Sequence, residues 1–244
     1  MDEYALIGYP LTHSFSEKYF AEKFAADNIA GCIYKNYELP DITTFPDFVK
    51  SHPDLKGLNV TIPYKESIIP YLDELDEEAA KIGAINVIKF SDGKTKGFNS
   101  DYQGFMQSLQ DFYPGFTQSK ALVFGAGGAA KAVFAALDYL DISYQIVTRH
   151  RQPGQLHYND ISPALVASHS LLINTTPLGT YPNVETCVPI PYEALSIHHY
   201  LYDLVYNPAE TLFLKKGREV GAKTKNGYEM LCLQAEVAWQ IWNG

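Results

Sequence analysis

The stretch Lys120–Phe134, KALVFGAGGAAKAVF, decides the fold of this chain. Its short apolar run, Ala121–Phe124, predicts a buried strand, and the alanine-rich residues after the glycines predict a helix that continues through Tyr139. A second apolar run, Tyr144–Thr148, predicts another strand at the distance that a β-α-β unit requires. The pattern is therefore typical of a parallel sheet covered by helices.

The glycines of this stretch match the G-x-G-x-x-A pattern of dinucleotide-binding turns. Gly125 and Gly127 allow a tight turn from strand to helix and a close approach of the backbone to a pyrophosphate, while Ala130 allows the helix to pack closely on the strand. The start of the helix also offers free N–H groups to phosphates. We therefore expect a bound dinucleotide here; the alternative is a tight turn that binds no ligand.

The residues after the second strand predict which dinucleotide is bound. An acidic residue at this position would bind the ribose 2′-hydroxyl of NAD, whereas arginine accommodates the 2′-phosphate of NADP. The sequence is Thr148-Arg149-His150-Arg151, without a carboxylate. Because the planar guanidinium group suits a phosphate monoester, NADP is favoured. The alternative is that these arginines are ordinary solvated surface charges.

The residues before the glycine-rich stretch also alternate between strand patterns and helical patterns. The predicted strands are Tyr4–Gly8, Ile33–Glu38, Gly57–Ile62, Ala84–Phe90 and Lys94–Phe98. The predicted helices are Ser16–Ala26, Thr43–Ser51, Tyr64–Tyr71 and Asp76–Ile82. Asp92-Gly93, between the last two strands, is a hairpin signal, so this part of the chain is predicted to form a mixed sheet.

The elements predicted towards the C-terminus are strands at Leu171–Asn174 and Leu201–Val205 and an apolar helix at Tyr228–Trp242. The predicted fold is therefore α/β with two domains: an N-terminal mixed-sheet α/β domain that binds substrate and a C-terminal Rossmann-type domain that binds NADP. We place the first at residues 1–100, completed by a returning helix at 228–244, and the second at residues 101–227.

The composition is that of an ordinary globular protein and argues against several functions. The chain has 244 residues, 46% of them hydrophobic, and its net charge of −9 disfavours binding to nucleic acid or to anionic membranes. Cys32, Cys187 and Cys232 form no CxxC pair or zinc-like cluster, so we expect neither a disulfide nor a metal site. Because no signal peptide or membrane-spanning stretch is visible, we expect a cytoplasmic enzyme.

Three polar clusters of the first domain lie at the ends of predicted elements, at Gly8–Ser16, Asn59–Lys65 and Gly97–Gly104. Together they bring hydroxyl, amide, ammonium and carboxylate groups to positions that a ligand can reach. For single residues a structural role stays open, since Ser16 can be a helix N-cap and Asp101 can interact with a helix dipole.

With these motifs the chain resembles the shikimate dehydrogenase family along nearly its whole length. The matching segments are, in order, G-x-P-L-x-H-S-x-S (Gly8–Ser16), NVTIPYK (Asn59–Lys65), GAINVI (Gly83–Ile88), G-x-N-S-D-x-x-G (Gly97–Gly104), GAGGAAKA (Gly125–Ala132), INTTPLG (Ile173–Gly179), YDLVYNP (Tyr202–Pro208) and G-x-x-M-L-x-x-Q-A (Gly227–Ala235). Several motifs in one order and at compatible spacing are far more specific than any single motif.

The resemblance implies a role for each candidate site residue. Lys65 and Asp101 would be the catalytic pair. The hydroxyls and carboxylate of shikimate would be bound by Ser14, Ser16, Thr61, Asn86, Asp101, Tyr206 and Gln234. The phosphates of NADP would be bound by Gly125, Ala126, Gly127, Gly128, Ala129, Thr148, Arg149, His150 and Arg151. Leu204 and Gly227 would lie along the nicotinamide, and Glu77 is a further candidate for binding the cofactor.

The implied reaction is the reversible NADPH-dependent reduction of 3-dehydroshikimate to shikimate, in chorismate and aromatic amino-acid biosynthesis. The partners would be this small-molecule substrate and NADP, without metal, nucleic acid or membrane, and the chain would be a monomer or homodimer. Three alternatives stay open: a quinate/shikimate dehydrogenase that uses NAD or both cofactors, a related dehydrogenase with an aminoshikimate-type substrate, and a non-catalytic shikimate-binding module on the same fold. Both ligands are expected to bind in a cleft between the domains.

Overall fold

The computed structural model describes residues 1–11, 15–115 and 119–244. The chain forms two compact units, one made of Met1–Asp101 together with Gln234–Gly244 and the other made of Tyr102–Leu233. The domain bounds predicted from the sequence differ in two respects: they assign residues 228–233 to the first domain and Asp101 to the second. The final helix thus contributes residues to both units.

The first unit contains a mixed sheet of six strands. They are β1 (Asp2–Gly8), β2 (Cys32–Glu38), β3 (Leu55–Val60), β4 (Glu74–Leu75), β5 (Val87–Ser91) and β6 (Lys94–Phe98). In the order β2-β1-β3-β5-β6-β4, the strands β1 to β3 are parallel, and β5 is antiparallel to both of its neighbours. The predicted hairpin is confirmed, because Asp92 and Gly93 join β5 to β6 with φ angles of 53° and 74°, which are left-handed values.

Helices cover both faces of this sheet: α1 (Phe15–Ala26), α2 (Phe45–Ser51), α3 (Glu77–Ile82) and the end of α8 (Tyr228–Asn243). Successive residues of a strand point to opposite faces. Ala5 and Ile7 of β1 therefore pack in one apolar cluster with Phe45 of α2, whereas Tyr4 packs in the other with Trp242 of α8. The last turns of α8 are thus part of the core of the first unit.

The predicted helix at Tyr64–Tyr71 is wrong. The segment forms turns, followed by a short 3-10 helix at Ile69–Tyr71. Pro70 lacks the N–H group that an α-helix needs at this position, and its ring would clash with the carbonyl four residues earlier. The carbonyl of Lys65 instead accepts the N–H of Ile85 at 2.7 Å. A contact with a distant part of the chain therefore holds this segment.

The second unit contains a five-stranded sheet in which all strands are parallel. Its strands are β7 (Lys120–Phe124), β8 (Ser143–Val147), β9 (Leu171–Asn174), β10 (Tyr200–Asp203) and β11 (Lys223–Asn226), in the order β11-β10-β9-β7-β8. Its helices are α4 (Asp101–Phe112), α5 (Gly128–Tyr139), α6 (Pro163–Ala167), α7 (Leu212–Glu219) and the start of α8. Helices on both faces bury β7 and β9 almost completely, as in other parallel sheets.

The strand order of the second unit defines where a ligand is expected. The chain passes from β7 to β8 on one side and then crosses to β9 on the other side of β7. Such a reversal is a topological switch point, and ligands of open parallel sheets bind outside the carboxyl ends of the strands there. The glycine-rich turn follows β7 directly and therefore lies at this point.

The elements α6, α7 and β11 of the second unit were not predicted from the sequence. The sequence of β11 is KTKN, a polar segment at the edge of the sheet without apolar alternation. No helix in the described ranges has the length and the apolar character needed to cross a membrane.

Candidate active site

The centre of the candidate site is the ion pair between Lys65 and Asp101. Lys65 Nζ donates to Asp101 Oδ2 at 2.6 Å, and the two side chains are 17% and 11% exposed. Lys65 lies in the turns after β3, and Asp101 is the first residue of α4. Tyr64 helps to hold this turn, because its buried side chain donates a hydrogen bond to the carbonyl of Leu39.

Beside Asp101 in the chain, Ser100 belongs to a cluster of buried polar side chains. Asn86 Oδ1 accepts the N–H of Ser100 at 2.6 Å, and Asn86 Nδ2 donates to Ser100 Oγ at 2.9 Å. Gln234 Oε1 accepts longer hydrogen bonds from both residues, each at 3.4 Å. The structure therefore brings the predicted residues Asn86 and Gln234 together, although 148 positions separate them.

Asn59 extends this cluster towards α1. Its Nδ2 donates to the carbonyl of Asn86 at 3.2 Å, and its Oδ1 accepts the hydroxyl of Tyr34 at 2.7 Å. Burial raises the pKa of Tyr34, so the phenol stays a neutral donor, and it also hydrogen-bonds to the side chain of Ser16. Asn59 and Ser100 were not among the predicted site residues, although both lie within the motifs that the sequence offers.

Thr61 and Ser14 complete the predicted binding residues of the first unit. Thr61 follows β3, is half-buried, and has its N–H group bound to the carbonyl of Ile7 at 2.9 Å. Ser14 lies outside the described residues. Its role therefore stays a prediction.

Glu77 lies apart from this cluster. It occupies the exposed first turn of α3, where its side chain is 84% exposed and pairs with Lys81 at 3.0 Å. Such a pair, four residues apart on one helix, is an ordinary helix contact. The structure thus does not bring Glu77 together with Lys65, and its role in binding the cofactor stays a prediction.

In the glycine-rich turn of the second unit, Gly125 and Gly127 differ in their φ angle and in the space available for a side chain. Gly125 has a φ of 113°, and a Cβ there would lie 2.4 Å from Thr175 Oγ1, so this position requires glycine for the backbone itself. Gly127 caps α5 without a side-chain hydrogen bond, and a Cβ there would have no atom within 4 Å. The space beside Gly127 is therefore open, and the uncapped N–H groups of α5 fit the diphosphate of a dinucleotide.

The remaining positions of the turn show graded burial. Ala126 and Gly127 are exposed, Gly128 and Ala129 are half-buried, and Ala130 is fully buried against the sheet. The exposed backbone therefore precedes the packed part of the helix, as a phosphate-binding turn requires.

The residues after β8 form a short turn, and its two arginines differ in their contacts with carboxylates. Thr148 Oγ1 accepts a long hydrogen bond, 3.5 Å, from the N–H of His150. Arg151 donates to Asp160 Oδ2 at 2.8 Å. Among the described residues Arg149 has no carboxylate partner and its side chain is exposed. Its guanidinium group can therefore bind an external phosphate without first breaking an ion pair.

Leu204 and Gly227, predicted for the nicotinamide end, are in direct backbone contact. A Cβ on Gly227 would lie 2.1 Å from the carbonyl oxygen of Leu204, so only glycine allows the two segments to approach this closely. The N–H of Gly227 donates to the carbonyl of Val205 at 3.3 Å. Tyr206 follows in the same loop, and partial burial raises the pKa of its phenol.

Two buried polar residues of the second unit were missed by the sequence reasoning. Asn174 ends β9 and Asp203 ends β10, and Asn174 Nδ2 donates to Asp203 Oδ1 at 2.9 Å. Burial raises the pKa of Asp203 to about 6. A polar residue at the end of an otherwise apolar strand was the signal that could have identified both.

No group of three or more histidine, cysteine, aspartate or glutamate residues within the described ranges could hold a metal ion.

Known proteins resemble this chain over almost its full length. The profile described as "Shikimate dehydrogenase substrate binding domain" matches residues 6–88. The shikimate dehydrogenase (NADP(+)) of Caldanaerobacter subterraneus subsp. tengcongensis is 36% identical over 259 residues, which cover 99% of this chain and 91% of that protein.

Solved structures show the same similarity in three dimensions. The shikimate dehydrogenase of Aquifex aeolicus has a TM-score of 0.90 and 31% identity, covering 100% of this chain and 93% of its own. The shikimate 5-dehydrogenase of Thermus thermophilus, solved in complex with NADP(H) and shikimate, has a TM-score of 0.89 and 29% identity, covering 100% of this chain and 94% of its own. The likeness therefore extends over both units.

Proposed function

Since the chain belongs to the shikimate dehydrogenase family, we propose that it catalyses the reversible NADPH-dependent reduction of 3-dehydroshikimate to shikimate. The observation that carries the proposal is the hydrogen-bonded pair of Lys65 and Asp101, 2.6 Å apart and largely buried. A lysine held in this way offers one positive charge and one transferable proton at a defined point, which is what reduction of a carbonyl group requires.

Bound NADPH supplies the hydride, which is transferred to the C3 carbonyl carbon of the substrate. Negative charge then develops on the carbonyl oxygen, and the Lys65 ammonium group stabilises it and donates a proton to it. Asp101 holds this ammonium group in place through Oδ2. In the oxidation direction Lys65 takes the proton of the C3 hydroxyl. A positioned acid or base of this kind typically contributes about 10²–10⁴-fold to the rate.

Most of the residues proposed to bind the substrate belong, like this pair, to the first unit. Ser14, Ser16, Thr61, Asn86 and Gln234, together with Tyr206 of the second unit, would bind the ring hydroxyls and the carboxylate. The support is that Asn86 and Gln234 are 3% and 7% exposed, share one hydrogen bond and are both hydrogen-bonded to Ser100, which presets their amide groups. Preset donors and acceptors lose little entropy when a ligand binds.

The cofactor would be held by the second unit. The uncapped turn of Gly125–Ala129 would bind the diphosphate, and Thr148–Arg151 would bind the 2′-phosphate, mainly through Arg149. Leu204 and Gly227 would lie beside the nicotinamide. The open space beside Gly127 and the exposed guanidinium group of Arg149 fit this ligand.

One experiment tests the whole proposal: the purified chain is mixed with shikimate or quinate, each with NADP⁺ or NAD⁺, and formation of the reduced nicotinamide is followed by absorbance. We expect the highest kcat/KM with shikimate and NADP⁺. A higher value with quinate and NAD⁺ would support the quinate/shikimate alternative. Absence of shikimate-dependent reduction, with shikimate still binding in calorimetry, would support the non-catalytic module.

The predicted cytoplasmic location and the predicted monomer or homodimer form part of the same proposal. Light scattering of the purified chain measures its mass in solution. A mass of two chains or fewer is expected, and a larger assembly would contradict it.

A further inference from the structure

Three neighbouring strands of the second unit end in the same kind of side-chain hydrogen bond. Asn174 at the end of β9 accepts the N–H of Thr176 at 3.0 Å, and Asp203 at the end of β10 accepts the N–H of Val205 at 3.0 Å. Asn226 at the end of β11 accepts the N–H of Tyr228 at 3.1 Å. Each bond spans two residues and closes an Asx turn. The turns therefore fix how the chain leaves three adjacent strands at one edge of the sheet.

Asp203 differs from the two asparagines because it also links the turns to each other. Its Oδ1 accepts Asn174 Nδ2 at 2.9 Å in addition to the N–H of Val205, and its Oδ2 accepts the hydroxyl of Thr211 at 2.6 Å. The segments after β9 and after β10 therefore share one carboxylate. The contact of Gly227 with Leu204 connects the segment after β11 to the same loop.

A carboxylate in this position is costly for the fold. The Asp203 side chain is fully buried, and its three hydrogen-bond donors are an amide, a backbone N–H and a hydroxyl, all of them neutral. Burying a charge that has no opposite charge beside it costs stability, which is why burial raises the pKa of this carboxyl. The link between the segments after β9 and β10 is therefore made at a cost in stability, which points to a role of this link beyond folding.

We propose that Asp203 is a positioning residue for hydride transfer. Its carboxylate locks the segments 175–178 and 204–206 to each other, and it thereby sets the backbone against which the nicotinamide ring is placed. The inference rests on the proposed function, which puts the nicotinamide beside Leu204 and Gly227. A displacement of about 1 Å at a reacting centre can cost about 10²-fold in rate, so a residue that never touches the ligand can have this effect.

The test compares Asp203→Ala with Asp203→Asn. The alanine variant loses all three hydrogen bonds. The asparagine variant keeps an oxygen for Val205 and Asn174, and the hydroxyl of Thr211 can rotate to accept from the new amide. Thr211→Val is a matched control, because it removes the bond to Oδ2 and leaves both bonds that hold the two segments.

Two measurements distinguish a positioning role of Asp203 from a general loss of native structure. The first is kcat for shikimate oxidation at saturating NADP⁺. The second is the Kd of adenosine 2′,5′-bisphosphate, a probe that occupies only the adenosine end near Arg149. We expect Asp203→Ala to lower kcat about 10²-fold. The Kd of the probe for this variant should change less than about twofold. Asp203→Asn and Thr211→Val should keep a kcat within about tenfold of the wild-type value.

Either of two results overturns the inference: a near wild-type kcat in Asp203→Ala, or a loss of kcat that is matched by an equal loss of probe binding. If the alanine variant does not fold, Asn174→Ala removes the same link from the other strand, and a near wild-type kcat in that variant overturns the inference as well. A wild-type chain that binds the probe but does not oxidise shikimate contradicts the proposed function instead. The two failures are thereby distinguished.

Discussion

Lys65 and Asp101 form an ion pair in which both side chains are less than one fifth exposed, a property that no other ion pair within the described ranges shares. The attraction between two buried charges is largely offset by the cost of removing them from water, so such a pair adds little to stability. A catalytic role explains the position of this pair better than a role in folding does, because Lys65 is a proton donor and the Asp101 carboxylate beside it fixes its orientation.

Replacing Lys65 by alanine tests this assignment. The variant loses both the proton and the positive charge at the carbonyl oxygen, so we expect kcat to fall by about 10²–10⁴-fold. The affinity for NADP⁺ should stay nearly unchanged, because all the residues proposed to hold the cofactor except Glu77 belong to the second unit. Steady-state kinetics and calorimetry measure the two quantities.

Lys81→Ala is the matched control for this variant. Lys81 is also a lysine with carboxylate partners, Glu77 and Glu78, but it lies on the exposed surface of α3. Its replacement should leave kcat unchanged. Retention of more than about a tenth of the activity in Lys65→Ala would rule out Lys65 as the main proton donor.

Arg149 is expected to determine the preference for NADP over NAD. Charge-assisted hydrogen bonds to a phosphate are worth about 1.5–3 kcal/mol, so Arg149→Ala should lower the ratio of kcat/KM for NADP⁺ to that for NAD⁺ by at least tenfold, which corresponds to about 1.4 kcal/mol. Arg151→Ala should change the ratio less, because Asp160 already binds the Arg151 guanidinium group. An unchanged ratio in Arg149→Ala would refute the role in binding phosphate.

The two glycines of the turn should respond differently to alanine. Gly127→Ala adds a methyl group to open space at an ordinary φ of −84°, so the free energy of unfolding should change by less than about 1 kcal/mol. The same methyl group would obstruct a bound diphosphate, so we expect KM for NADP⁺ to rise about tenfold or more.

Gly125→Ala is the contrasting variant. It forces alanine into a φ of 113° and against Thr175 Oγ1, so it should destabilise the fold by about 1–3 kcal/mol. Urea unfolding and cofactor kinetics of both variants check the pair of predictions. Normal NADP⁺ kinetics in Gly127→Ala would mean that the diphosphate does not lie at this turn.

Stability should depend on pH through Asp203. Its pKa is about 6 in the native state against an ordinary value of 3.8, so between these values the native chain binds more protons than the unfolded chain. The contribution of the raised pKa of Asp203 to the free energy of unfolding is therefore fully present below about pH 4 and is lost as the pH rises through about 6. A shift of this size corresponds to about 3 kcal/mol.

Comparison with Asp203→Asn isolates this contribution, because the variant has no carboxyl group at the site. Urea unfolding of both proteins at about pH 7 and about pH 4.5 should show the wild type gaining stability relative to the variant at the lower pH. If the free energies of unfolding of the wild type and of Asp203→Asn differ by the same amount at both pH values, the carboxyl group of Asp203 does not have a raised pKa.

The parts of the fold that the sequence predicted correctly depend on local chemistry. The turn at Gly125 and Gly127, with its flanking strand and helix, needs only residues that are neighbours in the chain. The hairpin at Asp92-Gly93 is equally local, since both residues must adopt positive φ angles. Such signals are visible in a sequence because no distant residue is needed to produce them.

The parts of the fold that the sequence did not predict correctly depend on contacts between residues that are far apart in the chain. The segment at Tyr64–Tyr71 has a helical pattern, but the N–H of Ile85 takes the carbonyl of Lys65 and Pro70 cannot continue a helix. The edge strand β11 is polar and is recognised only by its pairing with β10. For the site, the family resemblance implied that Asn86 and Gln234 bind the same substrate, but their hydrogen bond to each other joins residues 148 positions apart and no local pattern predicts it.

Trp242 fills the space beside Gly57, where a Cβ would lie 2.3 Å from the indole ring, and its Nε1 donates to the carbonyl of Ile88 at 3.0 Å. On the ribosome, all six strands of that sheet emerge before the helix that carries Trp242. Until then, Tyr4 and Phe20 lack the partner that covers them. The unit whose strands come first in the order of the elements is therefore the one that must wait for the last turns of α8 before its core can close.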